Sequence, residues 1–126
     1  MNLEQIDHLA LSCNNLEKSK QWYVDVLGFE QIYVDEWNGI PIFLRLGSTS
    51  IALFPDTHTS KLQPNQSKGI SHFALKAGTQ SDFLQAQDEL HSHEIEYVFQ
   101  DHDISHSIYF NDPDGHRVEI TTYDVG

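Results

Sequence analysis

A chain of 126 residues, 39% of them hydrophobic, has enough apolar surface for one cored domain and too little length for two independent ones. Seven lysines and arginines against nineteen acidic residues give a formal charge of −12, unbroken by any basic patch, so a nucleic-acid partner is not expected. Cys13, the single cysteine, excludes an internal disulfide framework and points to a reducing cytoplasm; no apolar run is long enough for a membrane span, and Met1–Glu4 is not expected to begin a signal peptide.

The first element is a strand over 3–13, in which Ile6, His8, Ala10 and Ser12 face one way and Asp7, Leu9, Leu11 and Cys13 the other. Asn14 and Asn15 can cap a helix over Leu16–Leu27, whose apolar face is Leu16, Tyr23, Val26 and Leu27 and whose stop is Gly28. Strands follow at about 29–37, 40–47 and 49–55, with Asn38-Gly39 predicting a hairpin turn between the first two. Residues 56–68 are polar and lack an apolar period, which makes them the natural linker. A second run then repeats the order. A strand over 69–77 precedes a helix over 81–93, with Thr79 and Asp82 in capping-box spacing and Phe83, Ala86 and Leu90 on its buried face. Strands near 95–100, 105–111 and 116–123 close the chain, the last two joined by the turn Asp112-Pro113-Asp114-Gly115.

The chain therefore reads βαβββ twice, an α+β fold in which module one (1–55) and module two (69–126) form a single domain. The repeat is visible in the residues themselves: Ile-x-His-Leu-Ala-Leu at 6–11 returns as Ile-x-His-Phe-Ala-Leu at 70–75. His8 and His72 thus occupy matched positions, each opposite the apolar face of its strand. Glu119 lies opposite Val118 and Ile120. A lone histidine on an inward strand face is more often a hydrogen-bonded core residue, and a lone glutamate there a solvated one. Two imidazoles and a carboxylate at matched positions of a repeat instead suit a divalent metal with open coordination positions, and Fe(II), Mn, Ni, Co and Zn all accept that set.

A paired βαβββ unit with histidine in each first strand, ending Tyr-Phe-x-Asp-Pro-Asp-Gly-His-Arg-x-Glu at 109–119, resembles the vicinal oxygen chelate superfamily. That group includes glyoxalase I, fosfomycin-resistance proteins, extradiol dioxygenases, methylmalonyl-CoA epimerase and bleomycin-binding proteins. The resemblance implies curved mixed sheets around a metal cavity, with His8, His72 and Glu119 as ligands. Glyoxalase I carries a fourth ligand where the repeat puts Ala52, and a methyl group cannot bind a metal. The three-ligand branches are therefore favoured.

Those branches carry a tyrosine at the position of Tyr109, whose phenol can bind a substrate oxyanion or donate a proton, or simply pack at the cavity rim. Ser107 shares its strand face and can help hold an anionic group. Fosfomycin proteins place threonine at Ala10 and an arginine beyond the final glutamate, and this chain has neither. His102 lies where extradiol enzymes supply a further histidine, although Asp101-His102-Asp103 reads better as an exposed acidic loop. His58, His91, His93, His106 and His116 read as surface residues, and Cys13 as packed towards the helix. Ala10, Ala52, Phe54 and Ala74 are expected on the concave side, with Trp37 and Phe43 as possible walls.

The function this implies is a divalent-metal-dependent lyase, transferase or dioxygenase that chelates a small vicinally oxygenated substrate. The alternative is a metal-free small-molecule or antibiotic binder of the bleomycin-resistance type. Short relatives form homodimers, which implies sites shared between chains, His8 of one meeting His72 and Glu119 of the other; closure within one chain is the other arrangement. No membrane partner is expected.

Overall fold

The structure, a computed structural model, describes residues 1–2, 4–56 and 70–126, which fall into two compact units, one before and one after 57–69. The predicted linker therefore lies, apart from Asp56, outside the described residues. Each unit is a four-stranded mixed sheet with one helix.

The first unit runs β1 (Leu9–Cys13), α1 (Leu16–Leu27), β2 (Glu30–Ile32), a 3-10 turn (Trp37–Gly39), β3 (Ile42–Leu46) and β4 (Thr49–Pro55). The strand order is β1-β4-β3-β2, with β1 parallel to β4 and the other pairs antiparallel. Helix α1 begins where it does because Asn15 accepts a hydrogen bond from the Lys18 amide at 3.0 Å, and it ends at Gly28, whose φ of 80° costs a residue without Cβ nothing. Its buried side chains are Ser19 and Tyr23, and Tyr23 meets Phe29 edge-on at 5.6 Å.

The second unit runs β5 (Phe73–Lys76), α2 (Gln80–Ser92), β6 (Val98–Asp101), β7 (His106–Asn111) and β8 (Arg117–Thr122), ordered β5-β8-β7-β6 with β5 parallel to β8. Phe83 and Leu90 of α2 are buried, as are Ile108, Phe110, Val118 and Ile120 of β7 and β8. At the β7–β8 turn, Asp112 Oδ1 accepts from the amides of Asp114 (2.9 Å) and His116 (2.8 Å), and Gly115 takes φ of 87°.

Four expectations change. The first strand of each unit starts later than predicted, at Leu9 and at Phe73, because the central strand it pairs with has only just left its own hairpin: Leu9 pairs with Ile51 in β4, and Phe73 with Val118 in β8. His8 and His72 therefore stand immediately before their strands. Strand β2 stops at Ile32, where Tyr33 (φ 55°) leaves extended backbone, and Asn38-Gly39 belongs to the 3-10 turn of a long connection rather than to a two-residue hairpin. Strand β6 starts at Val98 instead of 95. Finally, His106 is packed rather than superficial, its ring 5.4 Å from that of Phe99 and 6.3 Å from that of Phe83. No helix among the described residues is long and apolar enough to cross a membrane.

The Thr79 hydroxyl caps α2 by accepting from the Asp82 amide at 3.0 Å. Thr79→Ala is expected to cost about 1 kcal/mol, read as a lower urea midpoint at an unchanged m-value.

Candidate metal centre

Strand register assembles the centre. In the second sheet Ala74 pairs with Glu119, Glu119 with Tyr109 and Tyr109 with Val98, so these four residues form one row across β5, β8, β7 and β6. Alternation along β8 turns Val118 and Ile120 to the core and Glu119 to the opposite face. Glu119 is nonetheless only 9% exposed. A carboxylate so nearly removed from water needs partners on both oxygens. One oxygen, Oε2, accepts from the Ser107 hydroxyl at 2.6 Å, a length typical of a charge-assisted bond. The other, Oε1, lies 3.0 Å from His72 Nε2. Behind them the Ser107 and Thr121 oxygens are 3.0 Å apart, and the Thr121 hydroxyl donates to the His106 carbonyl at 3.2 Å. Ser107 is fully buried, and its proton is committed to Glu119.

The other imidazole nitrogen of His72 is occupied too. Its Nδ1 is 2.9 Å from the Ser71 hydroxyl, which orients the ring and leaves Nε2 pointing to Glu119. His8, in the first unit, is held the same way by the residue before it, its Nδ1 2.8 Å from Asp7 Oδ2. Each ring also meets an aromatic from the third strand of its own sheet: His8 meets Phe43 at 5.1 Å and His72 meets Tyr109 at 5.8 Å. Phe43 pairs with Ala52 as Tyr109 pairs with Glu119. The position aligned to Glu119 is thus Ala52, fully buried and without a donor atom.

Tyr109 has two further neighbours. Its hydroxyl is 3.0 Å from His102 Nε2, so His102, on an exposed loop, nevertheless reaches into the row. The Arg117 guanidinium lies over its ring, 4.6 Å from the centroid. Arg117 stands two residues before Glu119 in β8, so alternation puts both on one face, a signal the sequence carries. The reach of His102 does not follow from alternation and is flagged only by the resemblance, because it depends on the turn in which its amide donates to Ser105 and its carbonyl accepts from Ile104.

Of the predicted residues, the second unit brings together His72, Glu119, Ser107 and Tyr109, while His8 stands in the first unit beside Asp7 and Phe43. Among the described residues, Asp112, Asp114 and His116 also place potential ligand atoms within 4.8 Å of one another. Two amides already bind the Asp112 carboxylate there, so the cluster is explained by the turn. A groove of about 1140 Å³ opens beside the row, lined in part by Ile95, Tyr97, Val98, Tyr109 and Arg117. Neither His72 nor Glu119 lines it; Tyr109 belongs to both.

The donor set fits a divalent metal. Two adjacent ligands at about 2.1 Å from one ion, at right angles, stand about 3 Å apart, and His72 Nε2 and Glu119 Oε1 are separated by 3.0 Å. Both groups have their remaining polar atoms fixed by neighbours, as metal ligands commonly do.

A βαβββ pair with this histidine and carboxylate arrangement defines a class, and comparison with known proteins gives the same one. Residues 5–120 match the Glyoxalase/Bleomycin resistance protein/Dioxygenase superfamily, and the chain belongs to that superfamily. It is 31% identical to biphenyl-2,3-diol 1,2-dioxygenase 3 of Rhodococcus globerulus over 92% of this chain, and spans 62% of that protein's length. It is 27% identical to metallothiol transferase FosB of Staphylococcus epidermidis, over 97% of this chain and 84% of that one. The crystal structure of lactoylglutathione lyase from Agrobacterium tumefaciens shares the fold, with a TM-score of 0.77 at 23% identity, over 97% of this chain and 96% of that one.

Ser107→Ala removes the hydroxyl that satisfies Glu119 Oε2. Chemical denaturation is expected to show a loss of about 1–3 kcal/mol. A loss within error of zero would show that the carboxylate does not depend on Ser107.

Proposed function

We propose that this protein is a divalent-metal-dependent enzyme acting on a small, vicinally oxygenated compound, with His8, His72 and Glu119 as the metal ligands. The observation that carries the reading is the 3.0 Å approach of His72 Nε2 to Glu119 Oε1, with Nδ1 and Oε2 each engaged elsewhere. For His8 the support is the sequence repeat and the hold of Asp7 on its Nδ1, the counterpart of Ser71 on His72. The metal, when bound, supplies Lewis acidity to two neighbouring substrate oxygens.

The chain's own residues supply the rest. Ser107 orients Glu119 from behind, so its hydroxyl serves the ligand. Tyr109 offers its phenol to a substrate oxygen, with His102 on the same hydroxyl as a route for a proton. That hydrogen bond favours chemistry in which a proton moves at the substrate, and similarity to a biphenyl-2,3-diol 1,2-dioxygenase and to a metallothiol transferase supports either an oxygenation or a transfer. The lone, buried Cys13 suits a reducing cytoplasm. A homodimer with shared sites is the proposed assembly, and it has a direct test. Mixed chains of His8→Ala and Glu119→Ala regain metal only if one chain's His8 serves the other's His72 and Glu119.

Protein purified without chelator is expected to contain about one divalent metal per chain by plasma mass spectrometry, and His72→Ala and Glu119→Ala are expected to lose it. Wild-type protein that takes up none of Fe(II), Mn, Ni, Co or Zn on reconstitution would overturn the enzyme reading and leave a metal-free small-molecule binder.

A further inference from the structure

The groove beside the candidate centre has one cationic feature that the metal reading does not use. Arg117 is exposed, contacts the Tyr109 ring at 4.6 Å, and takes no carboxylate or hydrogen-bond partner among the described residues. Of the chain's two arginines, Arg117 is the one without a carboxylate partner. Arg45, the other, pairs with Glu30 at 2.9 Å. Two carboxylates, Glu94 and Glu96, line the same groove without pairing with it.

We infer that Arg117 is an oxyanion-docking residue, and that the groove takes a ligand with a carboxylate or phosphonate at one end of an apolar body. A guanidinium held over an aromatic ring keeps its N–H donors for a planar or tetrahedral acid, which it can grip with two parallel hydrogen bonds. The rest of the groove fixes the orientation. Ile95, Tyr97 and Val98 offer apolar surface to the body of the ligand, while Glu94 and Glu96 repel its acidic end and leave Arg117 as the place for it. Tyr109 lies between this groove and His72, 5.8 Å from that ring, so an acid seated on Arg117 sets its remaining groups against the phenol. The assignment rests on the proposed function only in taking Tyr109 as substrate-facing.

The test is calorimetric titration of the full chain with phenylphosphonate, benzoate and the uncharged benzyl alcohol, in both chelator-treated and metal-reconstituted protein. Wild type is expected to bind the two acids in preference to the alcohol in both states. Arg117→Gln is expected to weaken the acids at least tenfold and leave the alcohol unchanged; Arg117→Lys is expected to recover part of the loss. Arg117 is exposed, so melting temperature and metal content should match wild type in both variants. Equal affinity of wild type and Arg117→Gln for the acids, or no preference for acids over the alcohol, would overturn the assignment even where metal binds normally. Arg117-dependent binding in a protein that holds no metal would uphold it while the enzyme reading fails.

Discussion

The centre depends on a carboxylate held almost out of water. At 9% exposure Glu119 needs a partner on each oxygen, and the surrounding residues follow from that need. Ser107 is buried because its hydroxyl must sit behind Oε2, and Thr121 and the His106 carbonyl extend the same chain of polar groups into the sheet. On the open side, Oε1 faces His72. A buried polar network of this kind is tolerated only when its members are satisfied. Behind Glu119 the Ser107 and Thr121 hydroxyls both have acceptors, and in front, among the described residues, the group facing Oε1 is His72. One oxygen is braced by the protein, and the other is turned towards the histidine at the edge of solvent.

The first sheet shows what the same architecture does without the carboxylate. Ala10, Ala52 and Phe43 form the row that Ala74, Glu119 and Tyr109 form in the second. Methyl replaces carboxylate and phenyl replaces phenol, so the polar chain vanishes and aromatic packing takes its place. Tyr33, Trp37 and Phe43 lie within 5.6 Å of one another by ring centroids, beside His8. Tyr33 and Trp37 hold left-handed backbone, at φ 55° and 54°. Such a conformation costs a bulky residue about 1–2 kcal/mol, and strain of that size tends to gather where a surface has work to do. Both halves carry the histidine, and only the second carries a carboxylate in the row.

The parts of this arrangement legible in sequence were those set by local chemistry. Asn15 and Thr79 announced the helix starts because a short polar side chain before an apolar period has one strong use, and Gly28 announced a stop for a similar reason. The repeat supplied the pairing of His8 with His72, and alternation put Glu119 and Tyr109 on one face. The misreadings came from non-local effects. Strand β2 was drawn too long because nothing in Tyr33 signals a positive φ, and the strand starts at Leu9 and Phe73 are fixed by the central strand of each sheet. Alternation also puts Ser107 on the face of Tyr109, and it does not report which neighbour takes the hydroxyl proton, here Glu119. His106 was read as surface because its partners, Phe83 and Phe99, come from other elements.

Tyr109 joins the two kinds of organisation. Its hydroxyl is tied to His102, its ring lies under Arg117, and His72 meets it nearly at right angles, at 85°. A side chain with only two torsions, contacted from three directions, has little freedom left to lose when a ligand arrives, which is how a site lowers the ordering cost of binding. The three contacts also differ in kind: a hydrogen bond at the oxygen, a cation over the π face and an imidazole ring at the side. Each limits a different motion of the ring. The direction of the phenol is therefore set by the protein's own contacts, and the same β7–β8 pairing that sets Tyr109 opposite Glu119 fixes it relative to the braced carboxylate. Aim of that kind belongs to a pair of antiparallel strands and not to any single residue, so the site's precision rests on sheet register, the most strongly specified feature of a half-buried sheet.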